Sequence, residues 1–250
     1  YLNNCSASDD ITVIVIPKYA GFDKTICQND TAILTAKNSD YYFWSNGDNS
    51  QSIKVSPSNT TKYFLTVTNS GITNVDSVTV VVNYKPIVNA GNDITICFNN
   101  STKLTATGAN NYSWNNGNTT QTITVSPSST TTYYVTGTLS NGCSNTSSIT
   151  VSVTPLPYVS TGNNITICAN NGTYLLANTN ASQYYWNTNE TTKSIYVTPA
   201  KTTTYTVTVY KDNCSNSDDI IVYTNPLPNI DAGTDKTICY NSSTTISASG

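Results

Sequence analysis

The chain has 250 residues, of which only 10% are charged, and its formal net charge is −3. That balance provides neither a basic face for nucleic acid nor a polybasic segment for membrane lipids. Histidine and methionine are both absent, so the commonest general base and commonest zinc ligand are missing together. Apolar runs are short, such as Val78 to Val82 interrupted by Thr79, and fall well below the length of a membrane span.

Residues 1–17 read as the end of a repeat whose start lies before Tyr1, closing on the alternating segment Asp9-Asp10-Ile11-Thr12-Val13-Ile14-Val15. Three full repeats follow at 18–86, 87–157 and 158–228, and 229–250 opens a fourth. This phase implies a window cut from a longer chain. Each repeat opens on Ala20-Gly21, Ala90-Gly91, Thr161-Gly162 or Ala232-Gly233 and continues into a short strand ending in Thr-Ile-Cys, at Cys27, Cys97, Cys168 and Cys239. A second strand carries Leu34/Ala36, Leu104/Ala106 or Leu175/Ala177 at i, i+2.

The third strand holds the chain's three tryptophans, in Tyr42-Phe43-Trp44, Tyr112-Ser113-Trp114 and Tyr184-Tyr185-Trp186. Residues at i, i+2 share one face of a strand, so these tryptophans are expected inside. Asn46-Gly47 and Asn116-Gly117 follow at once and favour a tight hairpin turn; Thr188-Asn189 departs from that pattern. An Ile-x-Val strand comes next (Ile53/Val55, Ile123/Val125, Ile195/Val197), closed by Pro57, Pro127 or Pro199. The penultimate strand contains Tyr63, Tyr133 or Tyr205, and the last follows a turn at Gly71, Gly142 or Asn213. About seven short strands per repeat, alternating in period 2, predict an all-β chain of tandem antiparallel two-sheet sandwiches forming an extended rod.

A sandwich of this size has a marginal core, so covalent support is expected, and seven cysteines in fixed phase point to disulfides in an oxidising compartment. Two pairings compete. Bridges within a repeat join Cys97 to Cys143 and Cys168 to Cys214; bridges between neighbours join Cys5–Cys27, Cys143–Cys168 and Cys214–Cys239. The last strand separates the members of each second pair by about 30 Å, against ~7 Å between the Cα atoms of a disulfide, so the within-repeat set is expected. Cys27 is then unpaired, because Ile72 stands where its partner would be. Cys5 and Cys239 would pair beyond the window.

The pattern Ala-Gly-x-Asp-x-Thr-Ile-Cys, Tyr-x-Trp, Ile-x-Val-x-Pro, Thr-Thr-x-Tyr-x-Val, Gly-Cys and a closing Ser-Val-Thr-Val strand resembles the Ig-like and PKD-like repeats of giant surface adhesins in gliding, type IX-secreting Bacteroidetes. Ala90-Gly91-Asn92-Asp93-Ile94-Thr95-Ile96-Cys97 and Thr130-Thr131-Thr132-Tyr133 carry it most clearly. The resemblance implies an extracellular location, outer-membrane-attached or secreted. It also implies O-glycans on Asp-Ser/Thr-aliphatic motifs, here at Thr31 and Ser77.

Nothing supports catalysis: no histidine activates the serines or threonines, and Glu190 is the only glutamate. No cofactor is implied. Asp23, Asp93 and Asp235 recur at the repeat mouth as weak calcium candidates; the alternative role for them is to accept hydrogen bonds from nearby backbone N–H groups. Tyr41, Tyr134 and Tyr185 are out of phase with the core and free to bind, whereas Tyr63, Tyr133 and Tyr205 stand where sandwich domains tie a corner through a tyrosine hydroxyl. The functional expectation is a stalk that extends an adhesive tip. Its partners are adjacent repeats, and further surface polysaccharides or other fibres of the same protein. The alternative is a spacer or glycan-binding module of a secreted polysaccharide-degrading enzyme.

Overall fold

A computed structural model describes residues 18–249; the expected repeat end at 1–17, with Cys5, lies outside the described residues. The described residues form strands and no helix. In chain order these are β1 Lys24–Cys27, β2 Ala32–Thr35, β3 Tyr41–Trp44, β4 Ser52–Val55, β5 Thr61–Asn69 and β6 Ile72–Asn83. The second repeat has β7 Ile94–Cys97, β8 Thr102–Thr105, β9 Asn111–Trp114, β10 Thr122–Val125, β11 Thr131–Thr138 and β12 Ser144–Thr154. The third has β13 Val159–Ser160, β14 Ile165–Cys168, β15 Thr173–Leu176, β16 Asn178–Thr179, β17 Gln183–Trp186, β18 Ser194–Val197, β19 Thr203–Lys211 and β20 Cys214–Asn225.

The first repeat stacks a four-stranded sheet, ordered β1-β6-β5-β3, with the two-stranded pair β2-β4. The third repeats this as β14-β20-β19-β17 with β15-β18. The two inner faces meet on the residues that alternate inward. In the first repeat Leu34, Trp44, Ile53, Val55, Leu65, Val67, Val78 and Val80 make one core; in the third, Leu175, Trp186, Ile195, Val197, Val207, Val209, Ile220 and Val222 do so. The chain is therefore a series of all-β sandwich repeats, as the period-2 pattern predicts. Its compact units are two. One takes the described residues up to Asn92 with Lys103–Ile123 and Thr132–Ile149; the other takes Asp93–Thr102, Thr124–Thr131 and the chain from Thr150 on.

All three tryptophans are inside, Trp44 and Trp186 with no exposed surface and Trp114 with 2%. A buried indole N–H needs an acceptor. Each finds it on the turn that follows its own strand: Nε1 of Trp44, Trp114 and Trp186 donates to the carbonyls of Ser50, Thr120 and Thr192 at 2.9, 3.0 and 3.0 Å. One residue thus fills the core and fixes the loop leaving it.

Three expectations are corrected. The sheets are not purely antiparallel: β1 pairs with β6 in parallel, as β7 does with β12 and β14 with β20. Next, the Asn-Gly segment turns the chain without making a hairpin. Gly47 at φ 89° and Gly117 at φ 87° do adopt the left-handed region, as does Asn189 at φ 75°. However, β3 pairs with β5, while β4 pairs with β2 in the facing sheet, so the turn is a crossing between layers. The true hairpin is β5–β6, where Asn69 faces Ile72 across Ser70-Gly71. Both turn residues have positive φ, the geometry that matches the twist of paired strands.

The third correction moves the tyrosine tie. It belongs to the residues in phase with tryptophan: Tyr112 Oη donates to the Ala109 carbonyl at 2.9 Å and accepts from the Ala109 N–H at 3.1 Å. Tyr42 accepts from Ser39 N–H, and Tyr184 donates to the Ala181 carbonyl. Tyr133 and Tyr205 are buried core residues instead, and desolvation raises the pKa of Tyr63 and of Tyr205.

Replacing Trp186 with alanine removes a fully buried indole and its hydrogen bond to Thr192; a loss of about 3–5 kcal/mol is expected, read from urea unfolding followed by far-ultraviolet circular dichroism.

Candidate functional site: the disulfide-bridged joints

The chemistry of the chain gathers where one repeat meets the next. Because β1 runs parallel to β6, it ends beside the strand that leaves the repeat, with Cys27 opposite Asn83. The Gln28 N–H extends that ladder to the Asn83 carbonyl at 2.8 Å. A turn then closes from Asp30 N–H to the Cys27 carbonyl at 2.9 Å, with Asn29 at φ 68°. The same turn follows Cys97, Cys168 and Cys239, using Asn99, Asn170 and Asn241.

Cys27 is bonded to Cys143, 116 residues away, and Cys97 to Cys214, 117 residues away, each with Cα atoms 5.6 Å apart. Each bridge lies within one compact unit. The expected pairs Cys97–Cys143 and Cys168–Cys214, and the unpaired Cys27, are therefore overturned. The parallel pairing explains why. Cys97 faces Thr154 at the far end of β12, whereas Cys143 precedes the start of that strand. Eleven residues of strand at ~3.3 Å each lie between them, so the distance that excludes Cys143–Cys168 excludes Cys97–Cys143 as well. The first strand instead delivers its cysteine to the exit of its own repeat, where the last hairpin of the next repeat reaches back. Ile72 is the first repeat's residue at that hairpin position, whereas Cys27 bonds the hairpin of the second, so Ile72 deprives Cys27 of nothing.

Cys168 and Cys239 are free and exposed. Cys143 and Cys214 are almost fully buried, at 1% and 2%. Asn145 Nδ2 donates to the Pro86 carbonyl at 3.1 Å, and Asn216 Nδ2 to the Pro157 carbonyl at 3.0 Å, so each hairpin also holds the connector backbone. The connector itself packs down on Gly137: a Cβ there would lie 2.6 Å from Val88 Cγ2. Lys85 and Asp30 form an exposed ion pair at 2.8 Å, which contributes at most about 1 kcal/mol. The covalent term dominates, since closing a loop of this size stabilises by about 4–5 kcal/mol in the chain-entropy account. Disulfides of this kind belong to an oxidising, extracellular or secreted setting.

The acidic residues at the repeat mouths serve the backbone. Asp23 Oδ1 accepts from Thr79 N–H at 2.8 Å, and Asp93 Oδ1 from Thr150 N–H at 2.8 Å. Asn164 does the same for Ile221 at 2.9 Å. An amide oxygen fills the role as well as a carboxylate, so the site selects an acceptor rather than a charge. Asp235 is exposed. Among the described residues no three His, Cys, Asp or Glu side chains gather as metal ligands would.

A second acceptor anchors each opening motif. Asp76 takes the Ala20 N–H at 2.9 Å, Ser147 the Ala90 N–H at 3.2 Å, and Asp218 both the N–H and hydroxyl of Thr161 at 2.8 and 2.9 Å. The Thr161 N–H, outweighing desolvation and aided by the Thr161 hydroxyl and the Asp219 N–H, holds the Asp218 carboxyl below the usual range. Partial burial pushes Asp76 upward, but N–H groups of Ala20, Ser77 and Tyr19 and the Lys18 charge bring it down overall.

Of the tyrosines read as free, Tyr41, Tyr134 and Tyr185 are exposed, the last donating to Asn189 Oδ1 at 3.0 Å. A closer aromatic pair lies in the third repeat. Tyr174 and Tyr196 face each other across β15 and β18, their ring centroids 4.9 Å apart, both exposed. The signal was present in their phase, opposite to that of buried Leu175, Ile195 and Val197. Thr31 is exposed and its hydroxyl lies 2.9 Å from Ser56 Oγ, while Ser77 is half-buried in β6. A polar depression of about 400 Å³ is lined by Asn180, Ser182, Gln183, Tyr210, Lys211, Asp212 and Asn213, with one acid and one amine and no acid–base pair of carboxylates.

No protein-family model and no curated protein matches the chain. Among solved structures it is similar to a three-immunoglobulin-domain fragment of titin, at 10% identity and TM-score 0.40, covering 82% of this chain and 96% of that one. Extracellular domains 3–5 of Drosophila OTK align at 10% identity and TM-score 0.32, over 83% and 96%. The N-terminal eight immunoglobulin domains of Down Syndrome Cell Adhesion Molecule align at 14% and 0.30, over 83% and 40%. Likenesses this weak say nothing about activity.

Two outcomes are expected from these joints. A non-reduced digest yields linked peptides containing Cys27 with Cys143 and Cys97 with Cys214, and maleimide labels Cys168 and Cys239 but none of those four; a Cys97–Cys143 peptide contradicts the assignment. Asp218, with its pKa lowered on folding, adds stability that is complete above its unfolded value near ~3.9 and lost as pH falls through the folded value. Asp218→Asn keeps an acceptor and removes the charge, so the fall in urea midpoint between about pH 5 and pH 2 is smaller in the variant.

Proposed function

We propose that this chain is the repetitive stalk of an extracellular surface adhesin or fibre, which holds an adhesive tip away from the cell. The observation that carries the reading is the pair of bridges between consecutive repeats: such bonds make each repeat a covalent support for its neighbour. Short proline-containing connectors, Tyr84–Pro86 and Pro155–Pro157, act in the same direction. The resemblance to Bacteroidetes adhesin repeats favours a type IX-secreted, outer-membrane-attached protein of gliding cells, with O-glycans at Thr31 and Ser77. The partners on this reading are adjacent repeats, surface polysaccharides and other fibres of the same protein.

Small-angle X-ray scattering tests the stalk. A compact chain of this length has a radius of gyration near ~18 Å; the proposal expects a value well above that and a rod-like distance distribution. A globular profile rejects it.

The Tyr174–Tyr196 pair favours a second reading, in which the third repeat binds glycans in a secreted polysaccharide-degrading enzyme. Two exposed aromatic rings on one sheet face offer stacking surfaces for sugars. A glycan array on the wild type and on Tyr174→Ala/Tyr196→Ala decides this: signal lost in the variant supports it, and no signal in the wild type removes it.

A further inference from the structure

The two bridges interlock. Cys27–Cys143 closes residues 28–142 into a loop, Cys97–Cys214 closes residues 98–213, and the loops share residues 98–142. Neither loop can be drawn out while its bridge holds. A pull on the two ends therefore cannot travel along the sequence. It runs down the first strand to Cys27, crosses to Cys143, returns along the chain to Cys97, crosses to Cys214 and leaves by β20.

We infer that the bridges form an overlapping ladder that caps the extension of the chain under tension, whether or not its repeats are folded. Sandwich repeats with bridges inside each one would still lengthen, repeat by repeat, through the strands outside each loop. The ladder changes that arithmetic because it skips from the first strand of one repeat to the last strand of the next. With both bridges closed, residues 28–96 and 144–213 are held out of the path.

The size of the effect follows from connectivity alone. An extended residue spans at most ~3.3–3.6 Å, so the reduced chain of 250 residues reaches about 850 Å. With both bridges closed the shortest path holds roughly 110 residues and reaches about 380 Å. Because the loops overlap, their effects do not add. Each bridge alone hides about 115 residues, while both together hide roughly 140 rather than twice 115. That shortfall is the signature of interlocking.

Cys143 and Cys214 are sealed at 1% and 2% exposure, which hinders attack on those two sulfurs and leaves the half-buried Cys27 and Cys97 as the ones a thiolate meets. Opening a bridge requires a reductant such as dithiothreitol, which passes two electrons and two protons to the disulfide and becomes the cyclic disulfide itself. The inference concerns the covalent graph and stands whether or not the chain is an adhesin stalk.

The experiment is single-molecule stretching of the full 250-residue chain between terminal handles, with free thiols first blocked by iodoacetamide. The quantity read is the contour length at full extension, which is insensitive to whether a variant folds well. The oxidised wild type is expected near 110 residues' worth of chain. Dithiothreitol-treated protein is expected near 250, and Cys27→Ser or Cys97→Ser near 130 each. An oxidised contour near 160 residues would mean within-repeat pairing and overturn the inference, as would one that dithiothreitol leaves unchanged.

Discussion

The parallel pairing of each repeat's first strand with its last is the constraint on which the rest depends. An antiparallel first strand would end at the entrance of its repeat, and its cysteine would meet the hairpin that follows β5 or β11 of the same repeat. Running in parallel beside the last four residues of the closing strand, it delivers its cysteine to the exit of the repeat. The short ladder is secured at its start by Asp23, Asp93 or Asn164, each capping the last strand's N–H one residue before pairing begins. A single oxygen acceptor thus fixes the register that decides which cysteines meet.

Two kinds of stabilisation then divide the work. Inside each repeat the core is largely aliphatic around one tryptophan, with the indole N–H satisfied by the adjacent loop. At the joints, covalent bonds and asparagine–carbonyl contacts link neighbouring repeats. Small domains commonly use disulfides to reinforce their own cores. Here the cores stand on packing, and the sulfur is spent on connecting neighbours.

The inward residues were legible because period 2 is strict: Leu34 and Ala36, Trp44, Ile53 and Val55 alternate with Thr, Ser and Lys, and all are buried. The strand partners were not. Asn46-Gly47 has the residues of a hairpin turn, yet the strand after it belongs to the opposite layer. Local turn chemistry sets the path of four residues; what Ile53 and Val55 must bury against sets the sheet. Parallel pairing is harder still to read, because about fifty residues separate β1 from β6 and no turn signal links them. The repeat phase showed that cysteines recur, but their partners depended on that unreadable pairing.

The acidic residues teach the converse lesson, because a substitution within the sequence already held their explanation. Asp93 and Asn164 occupy one position in successive repeats. A calcium ligand would lose charge by that change, whereas an acceptor for a backbone N–H loses little. Their equal geometry, 2.8 Å to Thr150 and 2.9 Å to Ile221, accounts for the tolerance. The same reasoning separates Asp76 and Asp218 from Ser147, which share an acceptor role but not a charge. Internal repeats therefore work as a substitution experiment within one chain: positions where the residue type changes and the hydrogen bond persists serve the fold. By that measure Tyr174 and Tyr196 stand apart, since Ile33 and Lys54 or Lys103 and Thr124 occupy the same strand positions in the other repeats. Their exposed rings answer to no requirement that the three sandwiches share.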